Sequence, residues 1–164
     1  MRAAARLATA PIDRLWIWDH LMGRGAPDRP VLEATTLAAA ALAQNPNLHV
    51  GTLVIDVTKR HPALVAKIAA TLDAVAPGRF TLGIGAGGDA AEHDALGMPY
   101  GEVSERIAAL AEQVAVARAM LSGDPSERVT LTTPASLNGA ASAPRPGARL
   151  RLLIAGDHPS SISL

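Results

Sequence analysis

The run from His49 to Val57 constrains this chain more than any other stretch. It is dense in Val, Ile, Leu and Thr and too apolar for a half-solvated sheet edge, so it reads as one buried strand. Thr58-Lys59-Arg60-His61 closes it with a polar turn. Pro62 then opens a segment of helical period, at a position where a missing N–H costs nothing. A buried strand that delivers a polar loop onto a helix start is the βα unit of an α/β protein. Folds built from such units carry their sites on the loops that follow the strands.

The remaining segments repeat this arrangement. Ala3–Ala10 reads as a short helical piece ended by Pro11, and Leu15-Trp16-Ile17-Trp18 as a brief strand closed by Asp19-His20. A Gly- and Pro-rich loop, Gly23–Pro30, leads to a helix from Val31 to Ala43 with Leu32, Thr36, Ala39 and Ala43 on one face. The helix from Pro62 to Ala76 keeps Leu64, Val65, Ile68, Ala69 and Leu72 in period, with Lys67 and Asp73 facing elsewhere. Phe80–Ile84 is a third strand turned by Gly85-Ala86-Gly87-Gly88. A polar loop, Asp89–Pro99, precedes a long helix, Glu102–Leu121, with Ile107, Leu110, Val114 and Ala117 as its apolar stripe. Residues 126–148 lack periodicity and read as an irregular insertion, after which Arg149–Ala155 restores a strand that Gly156 turns. Two architectures fit: a small doubly wound sheet, or part of an eight-stranded (β/α) barrel.

Composition narrows the function classes. At 164 residues, 49% hydrophobic and net charge 0, the chain fits neither a disordered tail nor an electrostatic nucleic-acid binder. Alanine dominates, and Trp16, Trp18, Phe80 and Tyr100 are the only aromatics, so the core must pack small side chains closely. With no cysteine there is neither a disulfide framework nor thiolate chemistry. The apolar run after Arg2 and Arg6 is too short for a secretion signal, and no segment is long and apolar enough for a spanning helix. A cytoplasmic enzyme acting on a small molecule, without nucleic acid or membrane, is the expectation.

Three strand ends carry chemistry-bearing residues: Asp19-His20, Asp56 through His61, and Gly85 to Asp89 with Glu92 and His93 beyond. In a parallel sheet these loops share one rim. Asp19 either orients the His20 ring and caps its loop, or takes part in catalysis. Arg60-His61 pins the helix start and pairs with a carboxylate. No metal is expected, because Asp89, Glu92 and His93 would need further convergent ligands. Gly83-Ile84-Gly85-Ala86-Gly87-Gly88 follows a strand but lacks the G-x-G-x-x-G spacing of a dinucleotide loop.

An ordered set of short motifs then carries a resemblance. Trp16-Ile17-Trp18-Asp19-His20, Leu32-Glu33-Ala34, Gly51-Thr52-Leu53-Val54, Arg60-His61-Pro62-Ala63, Gly78-Arg79-Phe80, Leu82-Gly83-Ile84-Gly85-Ala86-Gly87, Glu92 and Leu96-Gly97 fall in the order of the bacterial luciferase-like flavin and deazaflavin (coenzyme F420) oxidoreductases. The resemblance covers Leu15–Leu121, and Ile154-Ala155-Gly156 is similar to the strand and turn after the family's variable insertion. It implies a partial (β/α)8 barrel, about strands two to five, with residues 126–148 as the insertion. It also implies F420 or FMN as cofactor. On it, His20 lies beside the reacting ring with Asp19 next to it, and Leu53–Val54 is a cis peptide whose bulge backs that ring. Gly85, Ala86, Gly87 and Gly156 let the backbone approach the cofactor.

The departures qualify what the resemblance implies. Gly88 stands where the family's sugar-phosphate dehydrogenases carry a catalytic glutamate, Arg24 near their tryptophan, and Ala86 at an arginine of the true luciferases. These argue against sugar phosphates and light emission, and neutral loops favour a small uncharged substrate. Family members are about twice as long, so the chain is expected to be truncated at both ends, without the first and the last three strands. Two functions follow. One is hydride transfer between the cofactor and an organic substrate, with oxygen insertion if FMN is used. The other is a non-catalytic half-barrel whose open edges a second copy covers.

Overall fold

The computed structural model describes residues 12–122, 144 and 150–156. The short helix expected at Ala3–Ala10 and the insertion at 126–148, apart from Pro144, lie outside the described residues. In chain order the elements are β1 (Arg14–Ile17), α1 (Ala34–Gln44), β2 (His49–Thr52), β3 (Ile55–Asp56), α2 (Pro62–Val75), β4 (Phe80–Gly85), α3 (Ala90–Ala95), α4 (Val103–Ser122) and β5 (Arg151–Ala155). Every strand pairing is parallel.

β2 and β3 correct the expectation of one continuous strand. Val50 faces Phe80 and Ile55 faces Ile84, so between these pairs the β2–β3 side carries one residue more than β4. That is the count of a β-bulge. The Leu53–Val54 peptide inside it is cis, and Leu53 faces outward. Thr52 mends the ladder here: its hydroxyl accepts from the Gly83 N–H at 2.9 Å and donates to the Gly83 carbonyl at 2.8 Å. Taken as one interrupted strand, β2–β3 sits between β1 and β4, and β5 lies on the far side of β4. Strands adjacent in sequence are therefore adjacent in space, all the way across. A doubly wound sheet would reverse its order, so the progression is that of a barrel wall.

One face of the sheet is packed. Ile17, Val50, Phe80, Leu82 and Ile84 point into a single cluster with Leu42, Val65, Leu72, Leu110 and Val114 of the helices. The packing surfaces are mostly alanine: Ala34, Ala38 and Ala41 on α1 and Ala66, Ala69 and Ala70 on α2 are fully buried, which lets backbones approach closely. The alternate residues Arg14, Trp16, His49 and Arg151 stand exposed on the other face. There the Trp16 ring lies over Gly51, its parallel-strand partner, where an added Cβ would come within 2.3 Å of the ring.

Helix faces differ from the periodic reading in detail. α1 begins at Ala34 rather than Val31, and Leu32, Thr36 and Ala43 are exposed while Ala38 and Leu42 are buried. On α2, Leu64 is exposed and Asp73 is buried, its carboxylate accepting from the Gly78 N–H at 2.9 Å. In an alanine-rich helix the apolar stripe is wide, so periodicity alone does not select its centre. At the end of the sheet away from the bulge, Arg79 donates to the carbonyls of Leu42, Asn45 and Leu48 and closes the C-terminus of α1.

Gly83 has no room for a side chain, because a Cβ there would lie 2.0 Å from the Thr52 carbonyl oxygen. Gly83→Ala is expected to cost about 2–3 kcal/mol by overpacking against backbone. Gly88→Ala, where a Cβ would meet nothing within 4 Å, should change stability by less than about 0.5 kcal/mol. Chemical denaturation of the two variants beside the parent checks both.

Candidate active site

The C-terminal ends of β1, β3, β4 and β5 open onto one cavity of about 450 Å³. All eight residues singled out from the sequence line it: Asp19, His20, Leu53, Val54, Gly85, Ala86, Gly87 and Gly156. Trp18, Arg24, Asp56, Lys59, Arg106 and Ile107 line it as well.

The rim is organised by two buried carboxylates and two consecutive cations. Asp19 leaves the end of β1 and its carboxylate accepts both Arg60 terminal nitrogens, at 2.6 and 2.8 Å, and the Asp56 N–H at 3.0 Å. Arg60 also donates to Glu33, the N-cap of α1, at 2.8 Å. Burial alone would lower the Arg60 value, but hydrogen bonds and charge from Asp19 and Glu33 raise it above its ordinary one. Burial would likewise raise Glu33, yet the hydrogen bonds of Thr36 and Thr35 hold it at about 2. His61 caps α2 through its Nδ1, which accepts from the Ala63 N–H, and Pro62 follows at the first helical position. With its oxygens engaged in this way, Asp19 locks the β1 end to the loop after β3.

Glu92 is the centre of the second cluster. It sits on α3, a helix that replaces part of the loop expected at Asp89–Pro99. Asp89 caps that helix by accepting from the Glu92 N–H at 3.1 Å, and the Asp89-x-x-Glu92 spacing was the available signal for a helix start. The Glu92 carboxylate accepts from the backbone N–H groups of Leu21 and Met22 at 2.6 and 2.9 Å, and from Lys59 Nζ at 2.5 Å. Lys59 also donates to the Asp19 carbonyl at 2.7 Å. Burial would raise the Glu92 value, but Lys59 and the two backbone donors hold it at about 2.

An ionised Glu92 fixes the state of His20. Its oxygen Oε2 lies 3.2 Å from His20 Nδ1, and a carboxylate only accepts, so Nδ1 carries the hydrogen. Nε2 is then the basic nitrogen, and it has no protein partner among the described residues. The Trp18 ring holds the imidazole edge-on, 5.1 Å between centroids. The sequence marks Glu92 as a chemistry-bearing position beyond the third strand end and as one the resemblance matches, but it does not pair it with His20 or with Lys59.

The glycines serve the protein as well as the cavity. A Cβ at Gly85 would meet Val54 Cγ2 at 2.6 Å, and one at Gly87, whose φ is +80°, would meet the Asp56 carboxylate at 2.7 Å. Their absent side chains are thus replaced by the bulge and by Asp56. Leu53 and Val54 of the bulge, with Trp18 and Ile107, give the cavity an apolar part of its lining. Such a surface suits a flat heteroaromatic ring system, and at Gly88 the space is open. Among the described residues no group of three or more His, Asp and Glu is arranged to hold a metal ion, and no helix is long and apolar enough to cross a membrane.

Comparisons with known proteins agree with this geometry. The family model described as luciferase-like monooxygenase matches residues 1–164. An F420-dependent glucose-6-phosphate dehydrogenase of Beutenbergia cavernae is 36% identical over 154 residues, which are 93% of this chain and 43% of that protein. The 4-hydroxyprotoasukamycin monooxygenase of Streptomyces nodosus subsp. asukaensis is 34% identical over 120 residues, 72% of this chain and 30% of that one. Among solved structures, an F420-dependent secondary alcohol dehydrogenase in complex with an F420-acetone adduct superposes with a TM-score of 0.79 at 25% identity, covering 94% of this chain and 47% of that one. The chain spans less than half the length of each.

The Glu92 pocket generates a pH prediction. Its value in the fold, about 2, lies below the ordinary 4.5, so its contribution is fully present above about pH 4.5 and is lost as pH falls through about 2. That contribution is on the order of 3 kcal/mol. Glu92→Gln should therefore be clearly less stable than the parent at pH 6, with the gap closing between about pH 4.5 and 2. Denaturant titrations at a series of pH values measure this; a gap independent of pH would refute it.

Proposed function

This chain belongs to the luciferase-like monooxygenase family, and from that membership we propose that it serves hydride transfer between F420 or FMN and a small organic substrate. The observation that carries the reading is His20. A histidine locked in one tautomer by an ionised glutamate presents its basic nitrogen beside a partly apolar cavity at the C-terminal rim of a partial (β/α)8 barrel.

Leu53, Val54 and the backbone of Gly85–Gly87 would hold the ring system, with Gly156 at the cavity's edge. A bound deazaflavin supplies a two-electron hydride acceptor or donor, and FMN supplies in addition the chemistry of reduced flavin with oxygen. His20 Nε2 takes the proton of a substrate hydroxyl, or returns one to a carbonyl, as the oxidation state changes. Glu92 keeps Nδ1–H oriented and offsets the charge of the imidazolium once Nε2 is protonated. Asp19 acts on this chemistry through position, because Arg60 and the Asp56 N–H engage its carboxylate. Gly88 brings no carboxylate to the cavity where, on the resemblance, the family's sugar-phosphate dehydrogenases carry a catalytic glutamate, which supports a substrate other than a sugar phosphate.

A second reading has its own observation. Trp16, Trp18 and Leu53 are 42%, 53% and 51% exposed on or beside the uncovered sheet face, as in a barrel wall that works only when the rest of the barrel, or a second copy, closes it. Fluorescence titration of the chain with F420 and, separately, FMN distinguishes the two. Saturable micromolar binding is expected, and His20→Ala should lower turnover by about 10²–10⁴-fold while changing the dissociation constant far less. A folded chain that binds neither cofactor would refute autonomous activity.

A further inference from the structure

His93 lies outside the cavity and is wholly buried, yet the hydrogen count around it does not close with ordinary protonation states. Its Nδ1 is 2.8 Å from the Asp89 carbonyl oxygen, which has no hydrogen to give, so Nδ1 is a donor. Its Nε2 is 2.7 Å from the Thr58 hydroxyl. That same hydroxyl is 2.6 Å from Asp56 Oδ1, which also accepts the Thr58 N–H at 3.0 Å. A hydroxyl has one hydrogen. If it is given to Asp56, Nε2 must be protonated and donate to Thr58. If it is given to Nε2, the 2.6 Å contact needs a hydrogen on Asp56. Either way the three groups hold one proton beyond a carboxylate, a hydroxyl and a neutral imidazole.

We propose that Asp56, Thr58 and His93 form a proton relay that stores this proton on His93 and can move it to Asp56 at the cavity wall. In the resting arrangement His93 is an imidazolium and Asp56 a carboxylate. The surroundings favour it: Asp56 Oδ2 lies 3.6 Å from Nε2 and 3.9 Å from Lys59 Nζ, so the carboxylate is flanked by positive charge. The other groups facing His93 are the Asp89 carbonyl and the Tyr100 ring, 4.8 Å away between centroids, with the Arg106 guanidinium carbon over that same ring, 4.0 Å from its centroid. In the transfer the Nε2–H bond breaks as a Thr58 O–H bond forms, while Thr58's original O–H bond breaks and an Asp56 Oδ1–H bond forms. The products are neutral His93, an intact hydroxyl and a neutral carboxylic acid, and every contact keeps its partners. The cavity wall thereby changes from anionic to neutral without exchanging a proton with solvent. Hydride transfer shifts negative charge from one molecule in the cavity to the other, and the relay would answer that redistribution by changing the charge of Asp56 at the wall; this use rests on the function proposed above, whereas the relay itself does not.

The test is ¹⁵N NMR of the full chain with labelled histidine at about pH 7.5, where an ordinary imidazole is mostly neutral. No cofactor is added, so the outcome is separate from that of the binding titration. His93, assigned by the loss of its signals in His93→Gln, should show both ring nitrogens in the protonated range. Thr58→Val should move Nε2 to the range of a bare nitrogen, and Thr58→Ser, which keeps the hydroxyl, should restore the parent pattern. A bare Nε2 in the parent chain overturns the stored proton. Two protonated nitrogens that persist in Thr58→Val overturn the relay in favour of a direct ion pair with Asp56.

Discussion

The close approach of β4 to the bulge between β2 and β3 is the constraint on which the remainder depends. Thr52, Val54 and Asp56 alternate along the bulged strand, and Gly83, Gly85 and Gly87 alternate along its neighbour, each glycine leaving the space that one of those residues takes. The carbonyl of Thr52, the methyl of Val54 and the carboxylate of Asp56 could not sit where they do against side chains. This interlock turns Leu53 outward over the cavity, seats Asp56 under the glycine turn, and brings the Asp56 N–H within reach of Asp19. A packing requirement and a site requirement are met by the same three glycines.

Above this interlock the charges are sorted in a simple way. Lys59 and Arg60 are adjacent in sequence, and each serves chiefly one carboxylate: Arg60 forks onto Asp19, and Lys59 reaches Glu92. Arg60 suits the first because two parallel N–H groups match a carboxylate edge; the point charge of Lys59 suits the second, where two backbone N–H groups and an imidazole already share the oxygens. Buried charges of this kind are retained at the cost of desolvation, and here every one is met by hydrogen bonds. What they secure is geometry at the rim, above all the tautomer of His20.

Much of this was legible in the residues. The alternation of apolar strands with alanine-rich helices located the parallel sheet, and the polar residues after each strand located the rim. Strand order is not legible from the alternation alone, since a βαβ pattern is common to doubly wound sheets and barrels; the resemblance implied the barrel, and the parallel pairings across the sheet bear it out. Periodicity does not show the bulge, because one extra residue within an apolar run looks like a longer strand; only the family resemblance pointed to it, at Leu53–Val54, where the cis peptide and the extra residue are found. The six residues of α3 are too few for a period, so periodicity gives a loop there, although Asp89 and Glu92 stand at capping positions. Glu92, Lys59 and His93 act through contacts between segments far apart in the chain, and no local pattern announces such contacts.

The placing of the tryptophans has a spectroscopic consequence. The chain has two, and they report on different places: Trp16 covers Gly51 on the open sheet face, while Trp18 meets His20 edge-on at the cavity rim. Imidazolium quenches indole emission more strongly than neutral imidazole does. With Trp16 replaced by phenylalanine, the emission of Trp18 would read the charge of His20 directly, in a chain carrying no extrinsic dye.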